Sequence, residues 1–208
     1  MFEPHGPKRL SGIITGDETW FPFFIIPLKR LNRMWVDGQG DRPVVLRPGF
    51  QSQKRMFAIF FNYSGPIVFD ILPQDTAMTA THYVPNVLSQ VKSAINKQRL
   101  KVSTSRTLFL HDNAGPYKAR ATTQSLRELG IQVLPHPAYS PDLAPCDFWL
   151  FAILKDRLAG RRFDRIQDLA KAVNSELRTI PEEDYQGVLR KWQIRLKRCM
   201  HRESSRVF

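Results

Sequence analysis

Apolar residues along this chain switch between two spacings, and the switch points divide it into strands and helices. Ser11-Gly12-Ile13-Ile14-Thr15, running on through Gly16-Asp17-Glu18-Thr19-Trp20-Phe21, reads as a first strand. Met56 to Asn62 is a second, uniformly apolar strand. Tyr63-Ser64-Gly65-Pro66 is a turn, and Ile67 to Leu72 is the hairpin partner. From about Thr81 to Gln98 the spacing changes, with Tyr83, Val87, Leu88, Val91 and Ile95 recurring as on a helix face. Thr107 to Leu110 is a short buried strand leading into His111-Asp112-Asn113. A helix is expected from about Lys118 to Leu129, stopped by Gly130 where a glycine ends helices well, and Ile131 to Leu134 is another strand. Pro135, Pro137, Pro141 and Pro145 then keep the chain extended until Asp147, where a helix to about Leu158 can open. Two more helices close the chain. Ile166, Leu169, Ala170, Val173, Leu177 and Ile180 share the face of the first, with Asp164 as its cap. Tyr185, Val188, Leu189, Trp192 and Leu196 stripe the second, which has Pro181 at its first turn. Strands first, then alternating strand and helix, then helices: the order is that of an α/β domain, a mixed sheet covered by helices.

The 208 residues suit one domain, 1–208, with a core of its own. Two cysteines, Cys146 and Cys199, neither build a disulfide framework nor show the paired spacing of a zinc site. No apolar run approaches the roughly 20 residues needed to span a bilayer, so no membrane partner is expected. Charge changes the picture more. With 31 Lys and Arg against 19 Asp and Glu, the formal net charge is +12, which points to a polyanionic partner, most often nucleic acid. Residues 21–55 concentrate Lys29, Arg30, Arg33, Arg42, Arg47, Lys54 and Arg55. Residues 189–208 concentrate Arg190, Lys191, Arg195, Lys197, Arg198, Arg202 and Arg206. Residues 37–53, with Gly38, Gly40, Pro43, Pro48 and Gly49, read as a long basic loop.

Against this basic background three carboxylates stand out. Asp17 lies in or at the end of an apolar strand, Asp112 ends another, and Asp147 opens a helix. Each alone reads more readily as a turn or cap residue than as a catalytic one, Asp147 as a helix N-cap. Converging on one sheet edge, however, three such groups can hold one or two Mg²⁺ ions, which favour hard oxygen ligands. Two ions about 3.5–4 Å apart activate an attacking hydroxyl and stabilise a leaving oxygen in phosphoryl transfer. His111 and His136 lack a Cys or His partner at zinc spacing, and Ser140 lacks a nucleophile-elbow context. Trp20, Trp35 and Trp149 could stack on bases, although core packing is the commoner fate of such residues.

At this point the chain resembles a known family. Thr15-Gly16-Asp17-Glu18-Thr19-Trp20 is similar to the TGDE(K/T)W motif of mariner transposases, and His111-Asp112-Asn113-Ala114-Gly115-Pro116 to their HDNAxPH motif. Tyr139-Ser140-Pro141-Asp142-Leu143-Ala144-Pro145-Cys146-Asp147-Phe148 resembles their YSPDLAPxD motif, and 34 residues separate Asp112 from Asp147, as in the family's three-aspartate triad. Lys54-Arg55-Met56-Phe57-Ala58 and Leu158-Ala159-Gly160-Arg161-Arg162-Phe163 also look like family segments, so the resemblance runs from about Ser11 to Cys199.

The resemblance implies an RNase H-like fold, a mixed five-stranded sheet flanked by helices, with residues 28–53 as a basic clamp-loop insertion. It implies that Asp17, Asp112 and Asp147 are both the catalytic and the metal-binding set, for Mg²⁺ or Mn²⁺ and two ions. The implied activity is DNA strand cleavage at transposon ends and strand transfer into target DNA at TA dinucleotides, in the nucleus and by a homodimer on double-stranded DNA. Lys29, Arg30, Arg33, Arg42, Arg47, Lys54, Arg55, Arg161 and Arg162 are the expected DNA contacts. Three departures are visible. The family's N-terminal helix-turn-helix region is not found in these residues, so the chain is expected to be the catalytic domain alone, binding DNA with little sequence preference. Tyr117 stands where the family usually has His, which is expected to alter a contact behind Asp112 and lower activity. The ending Arg202-Glu203-Ser204-Ser205-Arg206-Val207-Phe208 lacks the family's Gly-Glu-Tyr-Phe-like close. The alternative reading is a decayed or co-opted transposase acting as a non-catalytic DNA-binding protein. A different RNase H-like nuclease acting on RNA–DNA hybrids fits the 34-residue spacing less well.

Overall fold

The computed structural model describes residues 10–25, 53–99 and 107–204. Strands β1 (Ile13–Pro22), β2 (Lys54–Asn62) and β3 (Gly65–Ile71) form an antiparallel meander. Strand β4 (Thr107–Leu110) then joins β1 from its other side in parallel, and β5 (Ile131–Val133) follows in parallel beside β4. Among the described residues this gives one five-stranded mixed sheet in the order β3-β2-β1-β4-β5, the sheet expected from sequence.

Helices cover both faces. A continuous helical run, here α1, consists of Ala80–His82, a π-helical segment Tyr83–Leu88, and Ser89–Arg99. Its first turn is capped by Thr79, whose side chain accepts from the His82 N–H at 3.3 Å. A single turn α2 (Gly115–Lys118) precedes α3 (Arg120–Glu128). A second π-helical segment, Cys146–Leu150, continues into Phe151–Arg157 to make α4, followed by α5 (Ile166–Arg178) and α6 (Glu182–Ser204). Among the described residues, no helix is long and apolar enough to cross a membrane.

Side chains alternate across a strand, so a strand covered on both faces has to be apolar throughout. In β2, Phe57, Ile59 and Phe61 enter a core built with Leu150, Leu154, Leu169, Val173, Leu177 and Trp192 of α4–α6. Ala58 and Phe60 enter a second core with Ile14, Phe109, Tyr83, Val87, Val91 and Leu126, on the side of α1 and α3. The unbroken apolar run at 56–62 is the sequence trace of this double burial.

Several local expectations change. The helix expected from Lys118 is split, because Ala119 adopts an extended ψ of 144° between α2 and α3. Pro116 fits the first turn of α2, and Gly130 does follow α3 with φ +66°, its N–H donating to the Arg127 carbonyl at 3.0 Å. Asp164 is not the cap of α5. Arg165 holds that position with no side-chain cap bond, and its guanidinium instead pairs with Asp168 at 2.8 Å. Asp147 does not cap a helix either, since it lies inside the first turn of the π-helical segment that follows Pro145. Apart from Gln53, the 28–53 insertion with Lys29, Arg30, Arg33, Arg42 and Arg47 lies outside the described residues, as does Trp35.

Candidate active site

Parallel pairing of β1 with β4 is what brings the first two aspartates together. The register ends at Thr15↔Leu110, and Asp17 and Asp112 each stand two residues beyond that pair, level with one another. By strand alternation Asp17 shares the face of Ile13 and Phe21, the face that α4 covers, and so it meets Asp147 there. All three line one open cleft of about 410 Å³, whose other walls include Asn113, Lys118, His136, Tyr139 and Ser140. Backbone amides hold two of the carboxylates: Glu18 N–H donates to Asp17 Oδ1 at 2.7 Å, and Ala114 N–H to Asp112 Oδ1 at 2.9 Å. The Cys146 thiol, buried beside Asp147, lies 3.8 Å from the Ile59 carbonyl of β2 and pins the π-helical turn to the sheet.

The electrostatics are those of crowded anions short of cations. Burial first, then the neighbouring Glu18, pushes the Asp17 carboxyl up to about 8, with Asp147 and Asp112 adding to the effect. Asp147 is raised as well, by loss of water and then by Asp112, and is moderated by His136, by Lys155 and by a carboxyl hydrogen bond with Asp17. Lys155 is itself lowered by burial. Its Nζ donates to Thr19 Oγ1 at 2.9 Å. The Asp17, Asp112 and Asp147 carboxyls are an all-oxygen donor set whose charge a hard divalent cation would neutralise. The donors therefore fit such an ion in kind. They line an open wall: among the described residues no three His, Cys, Asp or Glu side chains are already drawn into a closed metal-holding group.

Glu18, adjacent in sequence, points the other way, into the core of α1 and α3. Burial pushes it up to about 7, while the Tyr117 hydroxyl, donating to Glu18 Oε1, counters that rise. Tyr117 lies edge-on to both Tyr83 (ring centroids 4.8 Å apart) and His111 (4.7 Å). His111 Nδ1 is 2.9 Å from the Asp112 carbonyl, so that nitrogen carries the proton, and burial holds the ring's pKa down. Tyr117 thus contacts both Glu18 and His111 of the Asp112 motif.

The expected DNA contacts that are described do not line this cleft, where Lys118 is the lysine or arginine among the lining residues. Lys54 opens β2, with its Nζ 4.5 Å above the Trp20 ring, and Arg55 donates to Gln74 at 2.8 Å. Arg161 pairs with Glu176 at 3.2 Å, and exposed Arg162 is 3.9 Å from Asp164. An isolated bridge from Phe24 to Arg162 puts the last two near the end of β1 where Pro22 pairs with Lys54, so the four share one end of the sheet. Trp149 packs against Phe61 and Tyr185, a core role. Sequence reasoning missed Lys118, Lys155, Tyr83 and the direction of Glu18. For Glu18 the signal was present, since strand alternation separates it from Asp17.

Comparison with known proteins follows the same lines. A family model described as Transposase (partial DDE domain) matches residues 28–105. The mariner Mos1 transposase of Drosophila mauritiana is 32% identical over 193 residues, covering 92% of this chain and 55% of that protein. The human histone-lysine N-methyltransferase SETMAR is 29% identical over 196 residues, covering 94% of this chain and 28% of that protein. The chain therefore spans about half of the first relative and less of the second. The crystal structure of the catalytic domain of Mos1 mariner transposase superposes with a TM-score of 0.73 at 30% identity, over 93% of this chain and 82% of that one. The Mos1 paired-end complex with Mn gives 0.82 at 33%, over 92% and 56%. The Mos1 paired-end complex with Mg gives 0.78 at 32%, over 90% and 54%.

Proposed function

The chain belongs to the mariner transposases and has their RNase H-like catalytic fold, and from that premise we propose that it cleaves DNA strands at transposon ends and joins them to target DNA, using divalent metal held by Asp17, Asp112 and Asp147. The observation that carries this reading is the convergence of those three carboxylates, from β1, the end of β4 and the π-helical start of α4, on one cleft. Structures of the relative Mos1 with Mn and with Mg support a hard divalent ion, and the reading takes the number as two. Such ions supply activation of the attacking hydroxyl and stabilisation of the leaving oxygen.

This chain's own residues do the holding and orienting. The amides of Glu18 and Ala114 fix one oxygen each of Asp17 and Asp112, which orients both carboxyls in the cleft. Asp147, exposed at the cleft mouth, reaches in from a helix pinned to β2. Lys118, in the lining of the same cleft, offers a cation for a phosphate. The substrates of this reading are double-stranded transposon ends and a TA target, the working unit is a homodimer on DNA, and the compartment is the nucleus. Lys29, Arg30, Arg33, Arg42 and Arg47 of the 28–53 segment are assigned to phosphate contacts, as are Lys54, Arg55, Arg161 and Arg162, which do not line the cleft.

The test is nicking of supercoiled plasmid in Mg²⁺ or Mn²⁺ by this chain and by Asp112→Ala. Nicking that needs the ion and vanishes in the variant supports the reading. DNA binding without cutting by either protein would favour a non-catalytic DNA-binding role, and equal cutting by both would remove the triad assignment.

A further inference from the structure

Among the described residues the hydrogen bond seen on the Asp112 carboxylate comes from a backbone amide, and both flanks of Asp112 lead to one residue, Tyr117. On one flank, the Ala114 N–H holds Asp112 Oδ1 at 2.9 Å, and the Ala114 carbonyl accepts the Tyr117 N–H at 3.1 Å, so the carboxylate and the first turn of α2 are one hydrogen-bonded unit. On the other flank, His111 donates to the Asp112 carbonyl at 2.9 Å, and its ring is packed edge-on against Tyr117, centroids 4.7 Å apart at 62°. Tyr117 in turn is only 2% exposed. Its hydroxyl donates to Glu18, the residue that follows Asp17 on β1. Tyr83, fully buried at 4.8 Å and 69° from the Tyr117 ring, closes the remaining side, so the Tyr117 ring cannot swing away from Glu18 without opening the core.

The β1–β4 ladder ends at Thr15↔Leu110, before either aspartate is reached. Beyond that point no described backbone pairing fixes the distance between Asp17 and Asp112. The hydrogen bond between Tyr117 and Glu18 spans that gap on the face of the sheet opposite the cleft. We propose that this bond is a positioning strut: it sets where Asp112 stands relative to Asp17, and through that spacing it sets the affinity of the aspartate site for a divalent cation. Tyr117 is a positioning residue and touches neither DNA nor ion. The inference rests on the metal-site reading above and goes beyond it by assigning Glu18 and Tyr117 a role in that site. It also reverses the expected meaning of a tyrosine here, which makes a contact of its own and is not merely a lost histidine.

The experiment is a Mn²⁺ titration followed by electron paramagnetic resonance on the intact chain, at a temperature where circular dichroism shows every protein folded. Tyr117→Phe keeps the ring and removes only the donor. Glu18→Gln keeps an acceptor, its amide oxygen, for the same hydroxyl. Asp112→Ala reports the site itself. We expect Tyr117→Phe to weaken Mn²⁺ binding by about 10- to 100-fold, the range seen when a group supporting a ligand is lost, and Glu18→Gln to stay within about threefold of the parent. Unchanged affinity in Tyr117→Phe overturns the strut. Equal losses in Tyr117→Phe and Glu18→Gln also overturn it, because they would mean that the charge of Glu18 acts and the bond does not. If the parent and Asp112→Ala bind Mn²⁺ alike, the metal-site reading itself falls, an outcome distinct from either of the others.

Discussion

Gly16 lies one residue before Asp17 and pairs with Phe60 across β1 and β2. A Cβ added at Gly16 would stand 1.9 Å from Phe60 Cδ1 and 2.1 Å from Cγ, inside the ring's own volume. To restore an ordinary contact the ring would have to retreat by about 1.5 Å. It has nowhere to go. Phe109 stacks on it at 5.6 Å and 12°, Tyr83 closes in at 6.2 Å, and all three rings are fully buried. Overpacking of this kind costs about 1–3 kcal/mol and occasionally more, and closure on the ring's far side places Gly16→Ala near 3 kcal/mol. The assay is urea unfolding followed by tryptophan fluorescence, where a loss of that size lowers the midpoint by about 1–2 M. A cycle with Phe60→Ala isolates the cause. With the ring gone, adding Gly16→Ala should cost under about 0.5 kcal/mol, giving a coupling above about 2 kcal/mol. The reasoning fails if Gly16→Ala unfolds like the parent, or if its penalty persists in the Phe60→Ala background.

Two further outcomes follow from the site. Burial and neighbouring carboxylates raise Asp17 to about 8 in the metal-free fold, against an ordinary 3.8. The folded chain then keeps a proton that the unfolded chain has shed between those values, so this contribution to stability is complete below pH 4 and lost as pH rises through 8. Metal-free protein should accordingly be less stable at pH 8 than at pH 5.5, by on the order of a few kcal/mol, and melt at a lower temperature. Asp17→Asn should reduce that slope, leaving the part due to Glu18 at about 7, and saturating Mn²⁺ should offset it at pH 8, whereas a slope unchanged in Asp17→Asn would assign it to other groups. Tyr139 has φ 53° and is 102% exposed, so its ring buries nothing while its backbone sits in the left-handed region. Tyr139→Gly should raise the melting temperature by about 2–4 °C through relief of about 1 kcal/mol of strain, and a fall would show that the ring makes a stabilising contact.

What the chain's sequence revealed, and what it hid, divides along physical lines. Strands β1, β2, β4 and β5 were legible because apolar runs of the right length leave few other ways to bury them, and Gly130 was legible because its left-handed φ selects glycine. The three aspartates were legible through motifs. Their meeting in one cleft depends on the parallel register of β1 and β4, which no local pattern encodes. The π-helical turn at Cys146–Leu150 was invisible, because Pro145 announces only that a helix begins and not how it is wound. Its extra residue per turn is a common feature at functional sites. Tyr117 was seen as a departure, but its partner Glu18 lies 99 residues away, beyond the reach of any spacing rule. Asp164 misled because a carboxylate two residues before a helix looks like a cap, whereas Arg165 occupies that place.

The strand order also has a consequence for how the molecule comes into being. The hairpin β2–β3 is local and can close early, but its strands stay unprotected. Phe57, Ile59 and Phe61 wait for helices at 146–204, and Phe60 waits for Phe109 and α1. Pairings that join β1 to residues 108–110, 95 positions further along the chain, are slow to find because the loop between them must be closed first. During synthesis the apolar hairpin is therefore made well before its cover, a window in which neighbouring chains can capture it. The same delay keeps Asp17, Asp112 and Asp147 apart until chain growth has passed α4. A chain stopped short of α4 holds Asp17 and Asp112 but lacks the sheet cover that carries Asp147, so the three-carboxylate cleft exists only once residues 146–204 have been added.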